Sequence, residues 1–261
     1  MQHGICNLNV IPVRKIAEHT SEMVSQLLFG ESFDILDQHE NWIQIISHYD
    51  NYIGWIHQRQ FLSLNASEIE FVRNQPKVLI SNTTSSVIEN ATRISFPLLM
   101  GSSIPILSED QFIFINKAYT LNGNFIIPTS QKENIIKYAT QYLGAPYLWG
   151  GRTHFGIDCS GFTQMVYKLA GYDLPRDASQ QVLLGETLSF LSEAEIGDLL
   201  FFDNTKGNIV HVGILYAINK IIHASGNVRI DTIDHQGIYN ESLQKYTHQL
   251  RLIKRMVKLL D

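Results

Sequence analysis

Residues 158–162 read Asp158-Cys159-Ser160-Gly161-Phe162, and this stretch decides how the second half of the chain folds. Aspartate is a favoured N-cap, so Asp158 predicts the start of a helix that ends near residue 170 and carries Cys159 in its first turn. Free backbone N–H groups and the positive end of the helix dipole converge there, which predicts a lowered thiol pKa and a thiolate near neutral pH. The same N–H groups can stabilise an oxyanion. Taken alone, Cys159 also fits a small buried apolar side chain.

Two downstream histidines favour the reactive interpretation of Cys159. His211 lies inside a β-type run, and His223 ends the next run after a turn over residues 217–220. The two strands should pair antiparallel and hold both imidazoles at similar heights. One imidazole would then be the general base and the other its orienting partner. The alternative is a zinc site with Cys159, His211 and His223 as ligands, but no Cys-x-x-Cys or His-Glu-x-x-His spacing favours it, and no metal or other cofactor is expected.

Two clusters flank the cysteine helix. Tyr147 and Trp149 precede it in a Tyr-Leu-Trp-Gly-Gly stretch. The Tyr147 hydroxyl could point at a reacting carbonyl and Trp149 could wall a pocket, although both also suit core aromatics beside a glycine turn. After the helix, Asp177 and Gln180 form a capping-box pattern, while Arg176 and Asp177 together form a charge pair that could hold a charged end of a substrate.

The chain divides into two textures. Residues 1–128 contain short alternating runs separated by turns, for example 42–46, 52–56 and 111–115, which predict small antiparallel barrels. A polar stretch between Leu62 and Gln75 is suited to link two of them. From residue 131, three helical patterns, the third beginning near Asp177, precede four strands and an ambiguous terminal run over 250–260, which is an α+β pattern.

Composition narrows the possible partners. The chain has 261 residues, of which 44% are hydrophobic and 17% charged, and its formal net charge of −5 disfavours nucleic acid. Apolar runs are too short to span a bilayer, so no membrane insertion is expected. Two cysteines, Cys6 and Cys159, do not make a disulfide framework, and Cys6 has no assigned role. The N-terminus shows no secretory signal, so a cytoplasmic protein is expected.

The motifs together resemble those of the NlpC/P60 cysteine peptidases, papain-like enzymes that cut peptidoglycan stem peptides. The resemblance covers about residues 131–261 and rests on the order and spacing of 147–151, 158–162, Arg176-Asp177, Gly197-Asp198-Leu199, 211–214 and His223-Ala224-Ser225. It implies that Cys159 is the nucleophile, His211 the base and His223 the orienting residue.

The resemblance also implies a fold and a domain plan. A papain-like α+β domain over 129–261 would follow small all-β barrels similar to bacterial SH3 domains over 1–64 and 65–128. In the first barrel, Val13-Arg14 and Gly54-Trp55-Ile56 fit the SH3 pattern.

Members with this organisation resemble γ-D-glutamyl-L-diamino acid endopeptidases, which require a free N-terminal L-Ala and cut after γ-D-Glu. The resemblance implies that Asp177 pairs with the substrate ammonium, while Ser160 and Arg176 meet the α-carboxylate of D-Glu. The first barrel would close one end of the cleft and contribute Glu22 and Trp55. The expected partners are peptidoglycan-derived peptides, already detached and recycled inside the cell.

Asp158, Tyr147 and Trp149 complete the implied substrate-binding set. Ala178 departs from relatives that carry a hydroxyl residue there, which puts one hydrogen bond in doubt. The diamino acid can be diaminopimelate or lysine. Two alternatives stay open: a wall-binding protein with an idle catalytic domain, and an amidase or acyltransferase that uses the same thiol.

Overall fold

A computed structural model describes residues 2–105 and 108–256. These residues fall into two compact units, Met1–Pro128 and Thr129–Asp261. The first unit is mainly β, and the second combines helices with a large antiparallel sheet. The predicted α+β fold with an all-β N-terminal part is therefore confirmed. Within the described ranges, no helix is both long and apolar enough to cross a membrane.

The N-terminal unit begins with a seven-stranded antiparallel sheet in the order β3-β2-β6-β5-β4-β1-β7. Its strands are β1 Gln2–Ile5, β2 Val10–Arg14, β3 Met23–Leu28, β4 Ser32–His39, β5 Trp42–Ser47, β6 Ile53–His57 and β7 Leu62–Leu64. The alternating runs predicted as strands at 42–46 and 52–56 correspond to β5 and β6, which pair with each other. Alternate side chains of these strands, such as Ile43, Ile45 and Ile56, fill the core.

A helix occupies part of the stretch predicted only as a polar link. Helix α1, Ala66–Asn74, begins at a capping box in which Asn65 accepts from the Glu68 N–H at 3.0 Å and donates its own N–H to the Glu68 carboxylate at 2.8 Å. Its one buried residue, Ile69, joins the core of the unit. The Asn-x-x-Glu spacing was the sequence signal for this helix.

The remainder of the N-terminal unit is a four-stranded sheet, β10-β9-β13-β12, and a three-stranded sheet, β11-β8-β14. The strands are β8 Lys77–Ile80, β9 Ser85–Glu89, β10 Ser95–Leu98, β11 Ser103–Pro105, β12 Gln111–Phe114, β13 Lys117–Asn122 and β14 Phe125–Ile126. Phe29 of the first sheet region stacks against Phe114 with ring centroids 4.4 Å apart, so both regions share one core. The division at residues 64 and 65 into two SH3-like barrels stays a prediction.

The C-terminal unit starts with helices and ends in a closed barrel. Its elements are α2 Glu133–Gln141, β15 Arg152–Thr153, β16 Gly156–Ile157, α3 Cys159–Leu169, α4 Ala178–Gln181, β17 Glu186–Leu188, a 3₁₀ turn at Leu191–Glu193, β18 Leu199–Asp203, β19 Ile209–Ala217, β20 Lys220–Ser225, β21 Asn227–Ile233, β22 Gly237–Asn240 and β23 Lys245–Arg255. Strands β18 to β23 close on themselves because β23 pairs with both β18 and β22. The terminal run is a strand up to Arg255, and residues 257–260 lie outside the described residues.

Helix α3 is the central element of this unit. It begins where the Asp158 carboxylate accepts the Gly161 N–H at 2.7 Å, as the sequence predicts. It packs against α2 on one side and against β19 and β20 on the other, and every residue from Cys159 to Leu169 is buried. This packing fixes the first turn of the helix beside β19.

The inner face of the barrel changes from apolar to polar along its length. Residues opposite each other in an antiparallel pair share a face, and Leu200, Leu215, Ile221 and Ile233 form an apolar inner layer. The same face continues into a second set, Phe202, His211, His223, Asp231 and His248. The polar groups of this face therefore follow the apolar side chains along the strands and occupy neighbouring rows of the barrel.

Gly237 allows β22 and β23 to close the barrel, since a Cβ there would lie 1.9 Å from the His248 carbonyl oxygen and its φ is 143°. We expect Gly237→Ala to destabilise the barrel by about 2–4 kcal/mol through backbone strain and overpacking. Hydrogen exchange of the β22 and β23 amides measures this loss. Gly207→Ala is the control, because Gly207 has φ 78° but nothing within 4 Å. Equal effects of the two substitutions would contradict the steric explanation.

Candidate active site

Cys159 occupies the first position of α3 and is 6% exposed. It forms no disulfide. The backbone N–H groups of Val212 and Ser160 both form hydrogen bonds with the Cys159 sulfur. Since Val212 directly follows His211 on β19, the thiol lies beside the strand that carries the predicted base.

Burial and the nearby Asp158 carboxylate raise the pKa of the Cys159 thiol to about 12, against the opposing influence of the Val212 N–H, the Arg176 guanidinium and the Ser160 N–H. The prediction of a lowered pKa is therefore wrong for the ligand-free site. The residue that caps the helix supplies the reason, because Asp158 places a negative charge at the same helix end whose dipole would favour a thiolate. The thiol form of Cys159 is therefore favoured over the thiolate in the ligand-free site.

His211 and His223 lie on neighbouring strands, as predicted, and are joined by a hydrogen bond of 2.8 Å between His211 Nε2 and His223 Nδ1. The two histidines are not at equal heights as predicted, because His223 pairs with Gly213, which lies two residues beyond His211. A Cβ at Gly213 would lie 2.8 Å from the His223 Cβ, so the glycine provides the space for the His223 side chain. Both rings are buried and meet edge to face at 82°.

His223 continues the chain to a carboxylate. Its Nε2 lies 3.1 Å from Asp231 Oδ2, and the other oxygen of Asp231 accepts from Arg229 at 2.8 Å. The bonds form a continuous line from His211 through His223 and Asp231 to Arg229. Such a line fixes the orientation of both imidazole rings.

A third histidine covers the face of His211. The His248 ring stacks on His211 with centroids 4.1 Å apart and planes inclined by 25°. Burial, His223 and His248 hold the pKa of His211 well below its usual range, and burial and His223 lower the pKa of His248 to about 4. His211 is thus a neutral imidazole, able to accept a proton, at neutral pH.

Asp158, Arg176 and Ser160 form a buried network at the mouth of α3. Arg176 is 1% exposed and donates to both oxygens of Asp158, at 3.0 and 2.6 Å, and to the Ser160 hydroxyl at 3.0 Å. The Asp158 carboxylate also accepts the N–H groups of Gly161 and Gly150. Where substrate contacts were predicted for Asp158 and Arg176, the structure gives both side chains protein partners.

Tyr147 and Trp149 lie on the segment before the helix, where Tyr147 bridges to Ile157 and donates its N–H to Gly226. Burial, with the charges of Cys159 and Asp158, raises the pKa of Tyr147, so its hydroxyl keeps its proton beside the thiol. Trp149 is 58% exposed. This exposure favours the predicted role of Trp149 in the wall of a pocket over a role as a core aromatic.

Two family models match the chain: the NlpC/P60 family over residues 144–251 and the bacterial dipeptidyl-peptidase SH3 domain over residues 13–61. The γ-D-glutamyl-L-lysine dipeptidyl-peptidase of Bacillus subtilis is 31% identical over 240 residues, which cover 85% of this chain and 74% of the relative. That of Bacillus cereus is 29% identical over 250 residues, with the same coverage. The chain belongs to the NlpC/P60 family.

The fold agrees with this membership. A crystal structure of an NlpC/P60 family protein from Bacillus cereus superposes with a TM-score of 0.84 at 22% identity and covers 98% of this chain and 99% of that one. An NlpC/P60 endopeptidase from Photobacterium damselae gives a TM-score of 0.72 at 19% identity over 98% of this chain and 71% of that one. The protein is a cysteine-type peptidase with an N-terminal bacterial SH3 domain, and both sequence-based expectations are confirmed.

Three more residues of this NlpC/P60 peptidase were predicted to contact the substrate, namely Asp177, Glu22 and Trp55. Asp177 is half-buried at the start of α4, where its N–H donates to the Gln180 side chain at 3.2 Å, as the capping-box pattern predicts. Glu22 and Trp55 belong to the N-terminal unit, where Glu22 pairs with Lys15 at 3.0 Å. Their contribution to the cleft stays a prediction.

Sequence reasoning missed Asp231 and His248. Asp231 had a usable signal, since pairing the predicted strands 221–224 and 228–232 as a hairpin places residue 231 opposite 221, on the His223 face. His248 had no usable sequence signal, because it directly precedes the run over 250–260, which could have been either a helix or a strand. Within residues 2–105 and 108–256, no group of three or more histidine, cysteine or carboxylate side chains is arranged to hold a metal ion.

The pH dependence of the peptidase tests the state of His211. Because the pKa of His211 lies well below 6.5, we expect kcat/KM to stay level through pH 6.5 and to fall only at lower pH. His248→Phe keeps a ring against His211 but removes a titratable neighbour, so the acid limb should move to higher pH. Stopped assays across the acid and neutral pH range measure the acid limb of the unaltered enzyme and of the variant. A wild-type midpoint at or above 6.5, or no movement in the variant, would count against this assignment.

Proposed function

We propose that the protein hydrolyses the γ-D-glutamyl to diamino acid bond of peptidoglycan stem peptides that carry a free N-terminal L-Ala. The observation that carries the proposal is the thiol of Cys159 at the mouth of α3, hydrogen-bonded to Val212, the neighbour of His211, which is itself hydrogen-bonded to His223. The names of the Bacillus relatives, γ-D-glutamyl-L-lysine dipeptidyl-peptidases, support the choice of bond.

The proposed chemistry follows from the lowered pKa of His211 and the raised pKa of the Cys159 thiol. His211 Nδ1 takes the proton of Cys159 as the sulfur attacks the carbonyl carbon of γ-D-Glu. The tetrahedral intermediate collapses when His211 returns the proton to the leaving amine, which leaves a thioester on Cys159. Water then attacks the thioester and gives a proton to His211, and His211 returns this proton to the sulfur as the C–S bond breaks, which releases the dipeptide and restores the thiol. Between these steps the site holds an imidazolium at His211 and an oxyanion on the tetrahedral intermediate, and the thiol and the imidazole are both neutral before the reaction and after it.

Stabilisation of the oxyanion is assigned to groups that do not move. The first N–H groups of α3 are assigned to the oxyanion, and the Tyr147 hydroxyl, which keeps its proton, is assigned as a further donor to the same oxygen. Tyr147 is held by the hydrogen bond from its N–H to the Gly226 carbonyl, and the helix is held by the Asp158 side chain that caps it. Donors that are already oriented need no reorganisation during the reaction.

Recognition of the substrate is assigned to two polar positions. Asp177 supplies a carboxylate for the ammonium of L-Ala, and the Ser160 hydroxyl, which accepts from Arg176, faces the α-carboxylate of D-Glu. Trp149 walls the pocket. Arg176 then acts through Ser160, to which its Nη1 donates at 3.0 Å, while Nη1 and Nη2 also donate to Asp158.

A free N-terminal L-Ala exists only on stem peptides that have been released from the glycan strand, so the proposal places the enzyme in the recycling of detached wall peptides. Cytoplasmic location is part of this proposal, and cell fractionation tests it. The names of the relatives favour L-lysine as the diamino acid, and a parallel assay with diaminopimelate compares the two.

Substitution of the nucleophile tests the reaction. We expect Cys159→Ala to lower hydrolysis of L-Ala-γ-D-Glu-L-Lys by at least about 10³-fold because the attacking sulfur is removed. Mass spectrometry should identify L-Ala-γ-D-Glu and lysine from the unaltered enzyme. Cys6→Ala, which changes the other buried thiol in the N-terminal unit, should keep full activity.

Retention of activity in Cys159→Ala would refute the mechanism. A product cut at another bond would refute the proposed specificity, and transfer of the dipeptide to an added amine in place of water would identify an acyltransferase.

The role of Asp177 is tested by a cycle of two changes, Asp177→Asn in the enzyme and acetylation of the substrate amine. Asparagine can still cap α4, so the fold is preserved while the carboxylate charge is lost. We expect each change alone to raise KM by about tenfold or more, and the second change to add little once the first is present.

Asp173→Asn provides the matched control, because Asp173 is an exposed acid four residues earlier and should leave KM unchanged. Full additivity of the enzyme and substrate changes would show that Asp177 does not contact the amine.

A further inference from the structure

Asp231 and Arg229 form an ion pair on β21 that the proposed mechanism does not use. Arg229 Nη2 donates to Asp231 Oδ1 at 2.8 Å, and Asp231 Oδ2 lies 3.1 Å from His223 Nε2. Asp231 is buried, at 6% exposure, whereas the Arg229 side chain is one third exposed. The pair lies on the inner face of the barrel that also carries both histidines.

From this geometry we infer that Asp231, held in place by Arg229, is a positioning residue that selects the tautomers of His223 and His211 and so leaves His211 Nδ1 as the nitrogen that accepts the proton of Cys159. The inference rests on the proposed function only in that His211 is the base. It concerns which nitrogen carries the hydrogen, which can be measured without any substrate.

The direction of each hydrogen bond follows from the carboxylate. An ionised carboxylate only accepts, so His223 Nε2 must carry the hydrogen that it shares with Asp231. A neutral His223 then has an unprotonated Nδ1, which accepts the hydrogen of His211 Nε2 across 2.8 Å. The Nδ1 of His211 is left with a free lone pair. When it takes the Cys159 proton, the other hydrogens of the chain stay in place and Asp231 stays ionised.

Charge at Asp231 is maintained by its partners. Burial acts to raise the pKa of Asp231, but the hydrogen bonds from His223 and Arg229 hold it below the usual value. The negative charge also favours the imidazolium form of His211 that appears during the reaction, through the His223 ring. Asp231 thus sets the starting tautomer and supports the charged intermediate.

Arg229 determines which way a replacement side chain would face. In Asp231→Asn, the amide oxygen should turn to the Arg229 donor and the amide NH₂ to His223. The NH₂ group needs an acceptor, so His223 Nε2 would lose its hydrogen and Nδ1 would gain one. His211 would be forced to the tautomer with hydrogen on Nδ1, which cannot accept the proton of Cys159.

The test combines kinetics with nitrogen NMR of ¹⁵N-histidine-labelled enzyme. In the unaltered protein we expect His211 and His223 both to carry hydrogen on Nε2. In Asp231→Asn we expect both to carry it on Nδ1, with kcat lower by about 10²–10⁴-fold and KM little changed. In the double variant D231N/R229M, the amide is free to rotate, so the Nε2 tautomer and about tenfold of the lost kcat should return.

Asp203→Asn is the matched control, since Asp203 also lies on a barrel strand beside an arginine, Arg251 at 3.5 Å, but has no histidine partner. It should change neither the tautomers nor kcat. Hydrogen on Nδ1 of His211 in the unaltered protein would overturn the inference, and this result does not depend on whether Asp231→Asn folds. Wild-type kcat in Asp231→Asn, or no recovery in the double variant, would also overturn it.

If the tautomers are as expected but no substrate of the proposed class is cleaved, the proposed function fails while the inference about Asp231 stands. If the substrate is cleaved but His211 carries its hydrogen on Nδ1, the proposed function stands while the inference about Asp231 fails.

Discussion

The carboxylate of Asp158 joins three parts of the catalytic unit that are separate in sequence. It caps α3 through the Gly161 N–H, holds the preceding glycine turn through the Gly150 N–H, and pairs with the Arg176 guanidinium from the loop after the helix. A buried carboxylate is tolerated only when its oxygens are satisfied, and here all its partners are protein groups. Because α3 also packs against β19, this one side chain determines where the thiol of Cys159 meets the histidines.

The position of Asp158 has an electrostatic consequence for the chemistry. Its charge and the surrounding burial disfavour a thiolate, while burial also disfavours an imidazolium at His211. Neither group is charged alone in the ligand-free site. Proton transfer between them is therefore coupled to the attack on substrate, and the hydrogen-bonded chain behind His211 stabilises the charge as it forms.

The barrel explains how so many polar groups can be buried together. Its inner face carries the apolar side chains Leu200, Leu215, Ile221 and Ile233, and His211 and His223 continue the same face along β19 and β20. Closure of β22 against β23 brings His248 over His211, although the two are far apart in the chain. A closed sheet thus supplies the rigid support that precise imidazole orientation requires.

Much of the fold and of the site could be predicted from local pattern. The cap at Asp158, the helix after it and the strands carrying His211 and His223 have strong local signals, and the family resemblance follows from their order. The pKa of Cys159 could not be predicted, because it depends on burial and on a carboxylate that the cap itself supplies. His248 and the engagement of Arg176 by Asp158 also required the tertiary structure, since barrel closure and loop packing are not encoded in any short segment.

The central claim is that the sulfur of Cys159 carries the substrate as a thioester. Rapid acid quench of the enzyme during turnover of L-Ala-γ-D-Glu-L-Lys, followed by proteolysis and mass spectrometry, tests it directly. The account predicts an L-Ala-γ-D-Glu adduct on the peptide that contains Cys159, and no adduct in Cys159→Ala. An adduct on any other residue, or turnover of Cys159→Ala at the rate of the unaltered enzyme, would contradict it.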